Sequence, residues 1–499
     1  MDFASIIYIA AYKFGLFFFG HLFANICTNL SWFNNTFIAL PAAILYLGSA
    51  IILTIKTGFL QIRAFPQFIK MVASGLGFGA SNSINKKSDK KTNAQDATQQ
   101  TINPFRALFV SLGTTIGMGN VVGPSIAIQL GGPGALVWLL IYMFFASVTK
   151  FAEVTFALAT REQTPDGYVI GGPMQYLLKV HRYLAYWYGY IMAIVFVGWS
   201  GAQANTLAKI ISFECAKSVG CSINPNPSLF SIDALPAWIV GITLSFLSWM
   251  ALRGGVKRIS AIATKLVPIM CIGYLSFALY LLTKNPSALK DALILIWNTM
   301  FNGKALMGSV AGASIWNAMR YGVFRAVHIS EAGMGTSSIS HAMSDTKNPT
   351  DQGILAMGSM AADIILSSIS GLLVLVLMSP TELQAGGFRA TLIYELFRDN
   401  APFLGKIILL MSLCLFVLTT VMGNSFNGRQ SFASLTRHRW VSQYTFITLL
   451  VIVWGALMPS RLVWELMDTL MVCAAVPNIL GILYLAFRYP EVLRVSKKP

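Results

Sequence analysis

The stretch Ser111-Leu112-Gly113-Thr114-Thr115-Ile116-Gly117-Met118-Gly119-Asn120, with Gly123-Pro124 just beyond it, interrupts a run of otherwise apolar residues. A second glycine-rich run, Gly308-Ser309-Val310-Ala311-Gly312-Ala313-Ser314, does the same farther along the chain. Glycine lets the backbone leave a helix, and at membrane depth an irregular backbone is tolerated only where it lines a cavity or is buried in protein. Apolar segments interrupted at corresponding places in two halves of a chain point to a binding site at the centre of a carrier.

The surrounding composition agrees with a membrane setting. Of 499 residues, 55% are hydrophobic and 11% charged, against about 25% charged in soluble domains. The mean hydropathy is +0.64. Apolar runs long enough to cross a bilayer lie near 38–56, 105–130, 134–160, 183–212, 235–252, 261–283, 305–333, 353–379, 402–424, 441–458 and 462–487, about eleven spans. Residues 5–27 are apolar too but carry Lys13 and His21; a twelfth span, an interfacial helix and a signal-like leader are all open, the leader least favoured for want of a small-residue cleavage site. The six cysteines have no metal-ligand spacing with His, and Cys215 and Cys221 either share a disulfide or remain free.

The net charge of +17 comes from 36 Lys and Arg against 19 Asp and Glu. A basic balance suits nucleic acid, but here the positives fall in short loops between apolar runs, as the positive-inside rule requires. Lys56, Arg63, Lys70, Lys86, Lys87, Lys90 and Lys91 follow the first span; Arg253, Lys257, Arg258 and Lys265 lie between the fifth and sixth; Arg429, Arg437 and Arg439 follow the ninth; Arg488, Arg494, Lys497 and Lys498 end the chain. All reach one side if the first span runs inward, which puts the carboxyl terminus in the cytoplasm. The expected organisation is an amino-terminal apolar extension (1–37), a peripheral helix and cytoplasmic loop (38–103), two five-helix groups (104–284 and 304–488) and a basic tail (489–499). Five is odd, so the second group starts on the opposite face, giving an inverted-topology repeat in an all-α polytopic protein.

Several blocks then resemble one family. They are Thr57-Gly58-Phe59-Leu60-Gln61-Ile62-Arg63, Gly131-Gly132-Pro133-Gly134-Ala135, Thr149-Lys150-Phe151-Ala152-Glu153, Gly171-Gly172-Pro173-Met174, Gln203-Ala204-Asn205, Glu331-Ala332-Gly333-Met334-Gly335, His341-Ala342 and Asn348-Pro349. Together they resemble the alanine/glycine:cation symporters, the sodium–alanine symporters of prokaryotes, from Ile52 to about Leu483. The resemblance implies a leucine-transporter-like fold of one peripheral helix plus a five-plus-five inverted repeat. It also implies sodium-driven uptake of a small neutral amino acid across a bacterial or archaeal cytoplasmic membrane, with no cofactor beyond the co-transported ion.

The candidate substrate set is Thr115, Gly117, Gly119 and Asn120 at the first interruption, Gly312 and Trp316 at the second, and Gln203 and Asn424. A half-helix start offers free N–H groups and a positive dipole end to a substrate carboxylate; glycines that only ease helix packing are the competing reading. Thr419 and Thr420, with Thr114 or carbonyls beside it, are the candidate sodium ligands that the resemblance implies, against the ordinary habit of a membrane Thr to bond its own i−4 carbonyl. Gln203 is implied as a contact for the substrate amino group, or else as an interhelical hydrogen bond. Lys150 and Glu153, one turn apart, and Arg325 and Glu331 are candidate gating charges. Asp363 either aids a cation site or pairs across helices. Glu465 and Asp468 read as solvated or paired, and His341 as an exposed loop residue. No hydrolase elbow or phosphate loop accompanies them.

Four residues at three places differ from what relatives carry. Met118 stands where the family usually has Thr, Asn424 where it usually has Trp, and Trp316-Asn317 where relatives have smaller or apolar residues. A lost Trp opens space and an Asn supplies donor and acceptor, so the expected substrate extends to a larger or more polar amino acid. A sodium-independent exchanger on the same fold, a channel and a polytopic membrane enzyme are the competing functions. No nucleic-acid partner is expected, only substrate, sodium and lipid.

Overall fold

Proline and glycine set most helix ends, and the apolar runs between them set the lengths. The computed structural model describes residues 28–34, 38–75, 101–163, 169–219, 231–300, 315–378, 391–400 and 403–495. The peripheral helix α1 (Ala39–Lys56) leads to the short amphipathic α2 (Phe65–Gly75). The first repeat comprises α3 (Pro104–Thr115), α4 (Met118–Gly131), α5 (Ala135–Ala159), the short α6 (Pro173–Leu178), α7 (Arg182–Val219), α8 (Leu235–Arg253) and α9 (Gly255–Lys284). After α10 (Pro286–Met300), the second repeat comprises α11 (Ile315–Ser330), α12 (Thr336–Ala342), α13 (Pro349–Leu377), α14 (Leu392–Asn400), α15 (Leu404–Thr436), α16 (Val441–Leu457) and α17 (Ser460–Arg488).

Eight of these helices are long and apolar enough to cross a membrane, and α3 with α4 makes a ninth span bent by 41°. Counted with the shorter apolar α16 and the α11–α12 pair, the described spans match the eleven expected. Residues 5–27 and Cys221 lie outside the described residues, and Cys215 is a free thiol.

The basic loops gather at one end of the bundle. The Lys56 ammonium lies 3.9 Å from the Phe487 ring centre, and Arg429 donates to the Leu252 carbonyl at 3.4 Å. At the same end Ile102, just before α3, pairs with residues just after α12, its amide donating to Met343 O and its carbonyl accepting from Asp345 N, both at 2.9 Å. Helix α7 is the central post, packed against α8, α15, α16 and α17. Its approach to α16 is backbone on backbone: a Cβ added at Gly455 would stand 2.5 Å from the Gly201 Cα, the small-residue contact that lets membrane helices close without a hydrophobic driving force.

Among the described residues the second break falls at a place the sequence does not mark. The run 308–314, Gly312 included, lies outside the described residues. The helix that follows is continuous to Ser330, unwinds over residues 331–335 and resumes as α12. Glu331, Gly333 and Gly335 take positive φ values of 56°, 94° and 80°, the left-handed region that ends a helix. Among the described residues the two breaks are Ile116-Gly117 and Glu331-Ala332-Gly333-Met334-Gly335. They face one another antiparallel: a Cβ on Gly119 would meet Ile329 Cα at 3.6 Å, and one on Gly131 would meet Tyr321 Cβ at 3.1 Å.

Candidate functional site

Unwinding frees carbonyls that a membrane interior cannot hydrate, and each freed carbonyl must find a donor. At the second break four of them do so through side chains. Ser330 O accepts from Lys150 Nζ at 3.3 Å, Ala332 O from Tyr142 Oη at 2.8 Å, Gly333 O from Asn478 Nδ2 at 2.9 Å and Met334 O from Tyr188 Oη at 2.6 Å. Asn478 also donates to Glu153 Oε1 at 2.7 Å and accepts from Tyr176 Oη at 2.5 Å. Donors from α5, α7 and α17 therefore hold the break open as a fixed feature, and Tyr176 of α6 positions Asn478. Lys150 and Glu153, candidate gating charges, both sit here. Lys150 turns to Ser330 and to Asp363, whose Oδ2 is 3.9 Å away, because the break supplies acceptors that the helix surface does not.

The first break is held by Asn120. Its Oδ1 accepts from Gly117 N at 3.2 Å and its Nδ2 donates to Asp363 Oδ1 at 2.9 Å. Asn120 is thereby committed to shaping the turn. Thr114 and Thr115 both return their hydroxyls to Ser111 O, at 2.7 and 3.3 Å. Thr419 likewise bonds carbonyls of its own helix, at 3.0 Å to Leu415 O and Phe416 O. Thr420 is the exception. Its hydroxyl crosses to Ile116 O at 3.4 Å, and a Cβ on Gly117 would stand 2.5 Å from its Oγ1. A hydroxyl beside the last carbonyls of a half-helix, at the negative dipole end, is suited to a small cation.

Beside the second break lies a small gap of about 10 Å³. Val195, Phe196 and Trp199 of α7, Glu331, Met334 and Thr336 of the break, Asn424 of α15 and Met471 of α17 line it. Asn424 is fully buried, and neither its amide nitrogen nor its oxygen has a hydrogen-bond partner. Such a group costs about 1–3 kcal/mol where nothing pairs with it, so an orphaned amide in a sheltered gap marks a place for a polar ligand. One turn beyond Trp199, Gln203 is also buried with its Oε1 unpartnered. Trp316 is not part of this gathering. It stands at the far end of α11 from the break at 331–335 and is 57% exposed.

A vestibule of about 440 Å³ opens toward the end opposite the basic loops. Its walls include Tyr321, Phe324, Arg325, Trp464 and Asp468. Between vestibule and gap, Arg325 grips Asp468 with two hydrogen bonds, at 3.1 and 2.9 Å, all but buried. His328 Nε2 lies 2.7 Å from Asp468 Oδ1, out of line for a good hydrogen bond. Trp199 packs edge-on to Trp464 at 5.6 Å and tilts over His328 at 5.9 Å. Arg325, a candidate gating charge, is on this side opposite the basic loops, because it precedes the break. Asp468 and His328 carry no sequence signal for the pairing; Arg325 and Asp468 are 143 positions apart.

Toward the basic end the gap is sealed by α12 and its flanks. Arg161 donates to Ser344 O at 2.5 Å and to Thr346 O at 3.0 Å, and Ser340 donates to Asn427 Oδ1 at 2.7 Å. His341, expected on an exposed loop, is completely buried, with Nδ1 2.6 Å from Gln352 Nε2; α12 is the second half of a broken span, packed against α3 and α5.

Comparison with known proteins places this architecture. Residues 24–497 match the family described as the sodium:alanine symporter family. The chain is 30% identical over 459 residues to the sodium/alanine symporter AgcS of Methanococcus maripaludis, covering 91% of this chain and 93% of that one. It is 26% identical over 451 residues to the probable sodium/glutamine symporter GlnT of Bacillus subtilis, covering 89% and 87%. The crystal structure of MhsT in complex with L-phenylalanine superposes with a TM-score of 0.55 at 14% identity, covering 80% of this chain and 94% of that one. The fold is the leucine-transporter-like one.

Proposed function

The chain belongs to the sodium:alanine symporter family, and from that premise we propose that it imports a small neutral amino acid together with sodium by alternating access. The observation that carries the reading is the small gap beside the second break, lined by the orphaned Asn424 amide and by Glu331, Met334 and Thr336 of the unwound segment. The substrate carboxylate goes to the start of α4, at Gly117 to Gly119, where amides and dipole favour an anion. Its side chain goes toward Asn424, Trp199 and Phe196. Sodium goes between Thr420 and the carbonyls at the end of α3. Arg325–Asp468 with Trp199 is the outer gate, and the contacts of Arg161 and α12 are the inner one, with the basic end in the cytoplasm.

The amide at Asn424 favours a substrate side chain that hydrogen-bonds, so the preferred amino acid is larger or more polar than alanine. Binding of labelled amino acids to the purified protein, in sodium and in an organic cation of equal ionic strength, tests the reading. Binding should rise with sodium and be competed best by polar neutral amino acids. Sodium-indifferent binding would favour the exchanger; competition by glycine and alanine alone would remove the enlarged pocket.

A further inference from the structure

Lys150 is the buried cation that the proposed cycle leaves without a task. Its side chain is wholly inaccessible, and a long ammonium side chain is rarely held so unless it is paired. Its hydrogen-bond acceptor and its counter-charge come from separate elements. Ser330 O, at 3.3 Å, is the terminal carbonyl of α11 and sits at the negative end of that helix dipole. Asp363, at 3.9 Å, belongs to α13, and its other oxygen is held by Asn120 of the first break. One ammonium thus senses both broken helices at once. That is the geometry a freely bound monovalent cation would need to report the arrangement of the two breaks.

We propose that Lys150 is a tethered cation: its ammonium occupies, as part of the chain, a monovalent-cation site at the second break, and a single free sodium is carried, at Thr420. The carried ion rests on the function proposed above; the tethered one does not. Ammonium is suited to the place. It offers three N–H donors to oxygen acceptors, and a fixed positive charge neutralises Asp363 through every step. Glu331 and Glu153 also lie close enough to feel its charge. Neither takes the contact that Asp363 does, since Glu331 is bonded by Thr336 and Glu153 by Asn478. A lysine that merely staples α5 to α13 would show the same static contacts but would not be replaceable by an ion from solution.

The test uses the full chain in proteoliposomes with two variants. Lys150→Ala removes both charge and stem and leaves room for a small cation; Lys150→Met keeps the stem's bulk and leaves none. Wild type should show hyperbolic sodium activation, with a Hill coefficient of about 1. Lys150→Ala should lose at least about tenfold of its uptake at low sodium. Methylammonium or ammonium in the millimolar range should restore most of that loss, and sodium alone should activate the variant sigmoidally. Lys150→Met should be inactive and not restored. Two cooperative sodium ions in the wild type would overturn the proposal, and that readout does not depend on whether either variant folds. So would a Lys150→Ala protein that inserts normally but is not restored by any cation, or one that transports as wild type. Sodium-independent wild-type uptake would remove the carried ion while leaving restoration by ammonium as the test of the tethered one.

Discussion

Replacing Gly117 by alanine should damage sodium coupling through one contact. The φ and ψ of Gly117 are −152° and −155°, an extended conformation open to any residue, so the penalty is steric. The new Cβ would stand 2.5 Å from Thr420 Oγ1, where about 3.4 Å is ordinary contact, so the hydroxyl must retreat by roughly 0.9 Å or rotate away. Its present distance from Ile116 O is 3.4 Å, and rotation takes it out of reach of an ion shared with that carbonyl. Losing one neutral ligand oxygen costs about 1–3 kcal/mol, or roughly 5- to 150-fold in ion affinity. The assay is uptake by proteoliposomes against sodium concentration. Gly117→Ala should raise the half-saturating sodium within that range, and substrate affinity should fall with it, because coupling is reciprocal. Two controls isolate the cause. Gly119→Ala meets nothing closer than 3.6 Å and should change sodium response little, although a bulky Gly119→Leu should block substrate. Thr420→Ala should mimic Gly117→Ala, and the double variant should be no worse than Thr420→Ala alone. Additive losses in the double variant, or an unchanged sodium response in Gly117→Ala, would refute the reasoning.

Other outcomes follow from the same contacts. Asn424→Trp should refill the space beside Trp199 and shift the ranking of competing amino acids toward glycine and alanine; an unmoved ranking places Asn424 outside the pocket. Asp468→Ala leaves the Arg325 guanidinium buried without its carboxylate, a loss of about 3–5 kcal/mol, and should lower the thermal midpoint; Arg325→Met with Asp468→Leu should recover most stability but leave the outer side permeable to a cysteine reagent aimed at the gap. Asn478→Ala strips donors from Glu153 and Gly333 and should cost about 2–4 kcal/mol, read as heat-induced loss of the monodisperse protein. Arg161→Ala should free the end of α12 and raise labelling from the basic side, with little change in stability because Arg161 is only partly buried.

Much of the fold can be read from the chain because its cause is local. Apolar length gives the spans, loop lysines and arginines give their common side, and the odd number in each group gives the inversion. The first break is visible because three glycines and a Gly-Pro interrupt an apolar run. The glycines at 308–314 lie outside the described residues, and the break at 331–335 is not legible for a physical reason. It is marked by Glu331 in a left-handed conformation and by donors from elsewhere in the chain: Tyr142, Tyr188 and Asn478. No window of sequence contains those partners. The same limit explains His341, which pairs with Gln352, and the Arg325–Asp468 pair, whose partners come from α11 and α17. Threonines divide in the same way: all four candidates sit near the first break, but only the register of α15 against α3 turns Thr420 toward Ile116 and leaves Thr419 on its own helix.

The central claim is that a sodium gradient drives an amino acid through this chain. The direct measurement is accumulation of labelled glutamine, alanine and glycine in proteoliposomes loaded without sodium and diluted into sodium, with a sodium ionophore added midway. The account predicts an internal concentration that rises above the external one for at least one of the three and collapses when the ionophore is added. Uptake that only equilibrates, and does so equally with or without the gradient, would contradict it.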